Sequence, residues 1–132
     1  MSIIVGFIPT REGHAAIDFS VAEARRRDAR LIIINSKQGG GHEPDEEFAK
    51  TRDAIEELEA RLDDERVGYE VHEYVRGNTP AEDIMQAVAD HDGDLIVIGI
   101  RTRTKTGKYL LGSNALDILH DATVPVVCVK AE

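Results

Sequence analysis

Apolar positions in this chain fall into two alternating patterns. Short, nearly continuous β-branched runs stand at 2–8 (SIIVGFI), 30–34 (RLIII), 94–100 (DLIVIGI) and 124–130 (VPVVCVK). A run of this kind predicts a strand with both faces covered. A fifth segment, 69–76 (YEVHEYVR), alternates apolar and polar residues and predicts a half-covered strand. Between these runs the period changes to that of a helix. After the first strand Ile17, Val21 and Ala24 make one stripe; from about 44 to 64, Phe48, Ile55, Leu58 and Leu62 make another, with an acidic outer face. Residues 79–91 carry a third stripe through Ile84, Ala87 and Val88, opened by Thr79 as N-cap and Pro80 at the first helical position. A short fourth helix is predicted over 113–121, with Ser113 as its cap.

Strands and helices therefore alternate from end to end, βαβαβαβαβ. Apolar strands joined by helices predict a parallel sheet covered on both faces, and right-handed crossovers make it a doubly wound α/β fold. The common strand order 3-2-1-4-5 puts the topological switch between the first and fourth strands. Ligands of such folds bind outside the carboxyl ends of the strands at that point. With 132 residues, the chain 1–132 is expected to be one domain.

Charge directs attention to the same place. The chain holds 25 acidic against 16 basic residues, a net charge of −9. Broad binding to nucleic acid or to an anionic membrane is not expected of such a surface. Yet Arg101, Arg103, Lys105 and Lys108 lie together in GIRTRTKTGKYLLGS (99–113), which no acid interrupts. This stretch begins where the fourth strand ends. It is not a P-loop: in TRTKTGKY (102–109) the first glycine is Thr102 and the magnesium-binding hydroxyl position is Tyr109. No GxGxxG follows the first strand, where GFIPTREG stands. A looser phosphate cradle remains. Gly99 ends a strand, Gly112 and Ser113 start a helix whose N–H groups favour an anion, and Arg101 and Arg103 are positioned in sequence to clamp phosphate oxygens. The plain alternative is a solvated loop between two turn glycines.

The spacing of that stretch resembles the nucleotide-binding branch of the universal stress protein family. The family pattern is Gly, two residues, Gly, nine residues, Gly-Ser/Thr. Here it reads Gly99, Ile100-Arg101, Thr102, nine residues, Gly112-Ser113, with Thr102 in place of one glycine. RGNTPAEDI (76–84) and DATVPVVCVK (121–130) are similar to the helix start and closing strand of the family, so the resemblance spans nearly the whole chain. It implies ATP as ligand, with Mg2+ as its companion ion, and little or slow hydrolysis. The residues it implies around the nucleotide are Pro9 and Thr10 after the first strand and Ser36 after the second. From the opening stretch come Gly99, Arg101, Thr102 and Arg103, then Gly112, Ser113 and Asn114. It further implies a homodimer paired through the last strand, an apolar edge otherwise exposed to unwanted pairing. Family members often carry Asp where Ile8 stands here. Ile8 and Thr102 favour an alternative, a scaffold of the same fold that works through protein contacts without nucleotide.

Other features add less. No run approaches the roughly 20 apolar residues of a membrane helix. The N-terminus lacks a basic signal-peptide start. The lone cysteine, Cys128, fits a reducing, cytoplasmic setting and is expected to be a small buried hydrophobe. His14, His42, His72, His91 and His120 show no metal-binding spacing and are expected at the surface or at helix ends. The Gly-rich segment 36–47 is a connection or a partial lid. No catalytic Ser-His-Asp set or carboxylate pair is evident.

Overall fold

The computed structural model describes residues 1–36, 45–74, 78–101 and 111–131, the side chains of 45–48 excepted. Nine elements follow in chain order within these residues: β1 (Ser2–Gly6), α1 (Arg11–Arg27), β2 (Arg30–Ser36), α2 (Asp45–Glu65), β3 (Tyr69–Tyr74), α3 (Pro80–His91), β4 (Gly93–Ile100), α4 (Ser113–Asp121) and β5 (Val126–Lys130). The strands form one sheet in the order β3-β2-β1-β4-β5, every neighbouring pair parallel. The expected doubly wound α/β architecture is thus the observed one.

The two patterns of hydrophobicity have distinct causes. In β1, β2 and β4 both faces are covered, so consecutive residues such as Ile3, Ile4 and Val5 are all fully buried. On one face Ile3, Val5, Leu31 and Ile33 meet Ile17, Val21 and Ala24 of α1 and Ile55, Leu58 and Leu62 of α2. On the other, Ile4, Ile32, Ile34, Ile96 and Ile98 meet Ala81, Ile84 and Ala87 of α3 and Ile118 of α4. The predicted stripes of α1 and α3 are the faces that pack. Phe48, expected in the stripe of α2, lies outside the described side chains. β3 and β5 stand at the sheet edges and are only half-buried.

Some boundaries differ from expectation. β5 starts at Val126, two residues late, because Pro125 has no N–H to give a ladder; its carbonyl still accepts from Ile96 N at 2.9 Å. β3 is described only to Tyr74, the rest of its expected span falling outside the described residues. α1 and α3 stop without glycine: Asp28 (φ 53°) and Asp92 (φ 51°) take the left-handed position, where a short polar side chain is tolerated. Ser113 is not a cap. Gly112 holds the cap position of α4 and Ser113 is the first helical residue.

Candidate functional site

β1 leads into α1 on one face of the sheet, whereas β4 leads into α4 on the other, so the chain diverges between the carboxyl ends of β1 and β4. Two cavities open there. One, of about 160 Å³, has mainly apolar walls, including Phe7, Ile34, Ile84, Ile98 and Ile118. The other, of about 250 Å³, is bounded by Thr10, Arg101, Gly112 and Ser113. Ile8, Glu12, Gly99, Asn114 and Ala115 line both, which makes them two compartments of one crevice.

The floor of the crevice is very tight. A Cβ at Gly99 would lie 2.0 Å from the backbone oxygen of Glu12, and one at Gly13 would lie 1.9 Å from the backbone oxygen of Ile8. Both glycines are thus demanded by the approach of β4 and of the Ile8 turn to the first turn of α1, whatever else they do. The α1 turn is closed from within: Thr10 Oγ1 accepts from Gly13 N at 3.1 Å, while Thr10 N donates to Ile8 O at 2.8 Å. The Thr10 hydroxyl is therefore already engaged as an N-cap.

The start of α4 is different. Its first intrahelical bond runs from Leu116 N to Gly112 O at 3.0 Å, and its cap residue, a glycine, makes no side-chain cap bond. The N–H groups of Ser113, Asn114 and Ala115 have no intrahelical acceptor by construction. The residues that bear them line the crevice. No acid stands in the first turn of α4 to oppose the positive end of the helix. The polar compartment thus combines an open helix N-terminus with Arg101, which is exposed at its rim.

Of the residues expected at the site, the structure brings together Thr10, Ser36, Gly99, Arg101, Gly112, Ser113 and Asn114 along the walls of the crevice. Ser36 lines the apolar compartment, but its hydroxyl is directed elsewhere: it donates to Asp83 Oδ2, a buried carboxylate that also accepts from Asn78 Nδ2 at 3.4 Å. Pro9 lines neither compartment; it borders a shallow depression beside them with Thr10 and His14. Thr102 and Arg103 lie outside the described residues, as do Lys105 and Lys108. Glu12 is the wall residue that sequence reasoning overlooked. Its only signal is an acid in the first turn of a helix that begins at the switch point.

One cluster of side chains lies apart from the crevice. Glu70 and His72 on β3 meet His91 at the end of α3, with one ligating atom from each within 4.8 Å of the others. Burial raises the pKa of the Glu70 carboxyl, but hydrogen bonds from Arg30 and His72 and the charges of His91 and Arg30 outweigh this, so it sits below its ordinary value. Cys128 is half-buried, not the fully buried hydrophobe expected; burial pushes its thiol pKa up.

Fold and crevice define a doubly wound α/β protein with an open crevice at the switch point. The comparisons narrow that class. The sequence profile of the Universal stress protein family matches residues 1–130, and the chain belongs to that family. A Universal stress protein of Mycolicibacterium smegmatis is 38% identical over 128 residues, covering 97% of this chain and 96% of its own. The structure of a universal stress protein from Archaeoglobus fulgidus is similar with a TM-score of 0.83 at 33% identity, covering 98% of both chains. A universal stress protein structure from Archaeoglobus fulgidus, in complex with dAMP, is similar with a TM-score of 0.76 at 28% identity, again over 98% of both.

Proposed function

We propose that this universal stress protein binds ATP in the switch-point crevice and acts as a regulatory, stress-associated binding protein with little or slow hydrolysis. The observation that carries the reading is the uncapped N-terminus of α4 opening on a polar compartment that continues into an apolar one. A nucleotide has the matching polarity: an anionic phosphate chain and a flat, weakly polar base. The dAMP complex of the Archaeoglobus fulgidus relative supports the adenine class.

In this reading the N–H groups of Ser113, Asn114 and Ala115 and the Arg101 guanidinium receive phosphate oxygens, and the apolar walls receive the base. Ser36 contributes backbone, its hydroxyl being held by Asp83. Thr102 and Arg103 would join from the loop beyond Arg101. Glu12 lines both compartments, and its carboxylate would face the phosphates in this reading. An anion and a carboxylate share a small site best with a cation between them, which fits Mg2+ as companion of ATP. Among the described lining residues Glu12 is the one carboxylate, and as a partner of the cation it is not placed to activate water, which is the reason for expecting slow turnover at most.

We also infer a homodimer through β5, the half-buried edge strand, and a cytoplasmic location. Among the described residues no helix is long and apolar enough to cross a membrane. A second reading, a scaffold without nucleotide, is favoured by exposed apolar side chains: Ile8 is 48% exposed at the mouth of the crevice and Leu116 52% exposed on α4. Equilibrium dialysis with a non-hydrolysable ATP analogue separates the two. Saturable one-to-one binding, enhanced by Mg2+, supports the first. No binding by the folded protein at about 1 mM analogue leaves the scaffold.

A further inference from the structure

The cluster on β3 and α3 has no part in the crevice. Pro80, at the start of α3, lines the apolar compartment, while His91 ends that helix. At 1.5 Å per residue the two are about 16 Å apart. Alternation along β3 puts Glu70 and His72 on one face, beside Ile32 and Ile34 of β2, the face against which α3 packs. The crossover from β3 into α3 and back along the sheet then returns His91 to the same spot, its ring centroid 5.0 Å from that of His72.

The donor set is specific in character. It comprises two imidazoles and one carboxylate, all half-buried. Glu70 is held from behind: Arg30 Nε donates to its Oε2 at 3.2 Å, while Oε1 lies 3.3 Å from His72 Nε2. Arg30 thus holds one oxygen of the carboxylate and turns the other toward His72, and hydrogen bonds of this outer-sphere kind orient a metal ligand. On the other side of the imidazole, Tyr74 stacks over His72, ring centroids 6.4 Å apart and interplanar angle 30°. Tetrahedral zinc, with bonds of about 2.0 to 2.1 Å, sets its ligand atoms roughly 3.3 Å apart. The three atoms here lie within 4.8 Å of one another, so small side-chain rotations close the site.

We propose that Glu70, His72 and His91 form a site for one divalent metal ion of the zinc class, clasping the edge strand β3 to the end of α3. Two imidazoles and a carboxylate suit zinc, nickel or copper and disfavour magnesium and calcium, which take oxygen ligands. Three protein ligands leave one coordination position for water or an incoming group. The site is independent of the nucleotide reading, since none of its residues borders the crevice.

Calorimetric titration of zinc chloride into untagged, chelator-stripped protein tests it. One ion is expected per chain. H72A and H91A are each expected to weaken binding at least about tenfold, because even outer-sphere changes cost that much. H120A, at an exposed histidine on α4, leaves it unchanged. Cobalt(II) gives the intense visible bands of a tetrahedral site in the parent protein and not in H72A. Circular dichroism confirms folding, and H72Q and H91Q replace either alanine variant that fails to fold. The proposal is overturned by no binding up to about 0.1 mM zinc, or by zinc binding that survives both H72Q and H91Q. The cluster would then be a hydrogen-bonded ion pair and nothing more.

Discussion

Helices α3 and α4 pack side by side on one face of the sheet, and both begin at the crevice, yet they begin in opposite ways. α3 is closed by its own residues. Thr79 Oγ1 accepts from Glu82 N at 3.1 Å, Glu82 Oε1 accepts from Thr79 N at 2.9 Å, and Pro80 holds the first turn. This capping box satisfies two donors reciprocally, and Glu82 and Asp83 answer the positive end of the helix. α4 has a glycine for its cap, which makes no side-chain cap bond, and no acid in its first turn. One terminus uses its hydrogen-bonding capacity for stability. The other has no such partner among the described residues, and in the proposed function that capacity serves a ligand.

The most severe way to break the contrast is to give α4 what α3 has. In G112D an aspartate caps the helix and places a carboxylate where a phosphate is expected. Like charges in a small site cost several kcal/mol, so ATP affinity should fall about a hundredfold, while the melting temperature holds or rises. Dialysis and a thermal scan on the same sample check both halves. The reverse experiment is T79A, which removes the capping box of α3. It should cost about 1 kcal/mol, a drop of roughly 4 °C in melting temperature, and leave ATP affinity unchanged. A matching loss of affinity would mean that the two termini are not separate devices. R101A removes an exposed cation at the rim of the open terminus and should weaken ATP about threefold, more at low salt than at high. The smallest effect is expected for E12Q: ATP should depend less on Mg2+, by about twofold in the ratio of affinities with and without the ion, because the cation loses one of two anionic neighbours.

The architecture was legible because it rests on patterns that survive without neighbours. Doubly buried strands must be apolar at consecutive positions, as in Ile3-Ile4-Val5, and one-sided helices must be apolar at every third or fourth. Crossover handedness makes such a sheet doubly wound, 3-2-1-4-5 is the common strand order for it, and the place of the crevice follows from that order. The site was legible in outline for the same reason: Gly99, Gly112 and Ser113 flank a known switch point. What stayed hidden depends on who meets whom. Nothing local tells that the Thr10 and Ser36 hydroxyls are taken by Gly13 and Asp83. Glu12 looks like any first-turn acid until the two compartments are seen to share it. Glu70 and His72 stand two apart, a readable strand-face pair, but His91 joins them only after a complete β3-to-α3 crossover, so spacing rules for histidine could not find it.

The contact beneath Gly99 bears on what a glycine at this position signifies. With Glu12 carbonyl oxygen 2.0 Å from any Cβ placed there, this position cannot drift to another residue while α1 keeps its seat. Gly112, at φ −71°, has a backbone conformation that any residue adopts. The demand at 99 therefore stands whether or not the crevice ever holds a ligand, so that glycine is a mark of how the fold closes and not of what it binds.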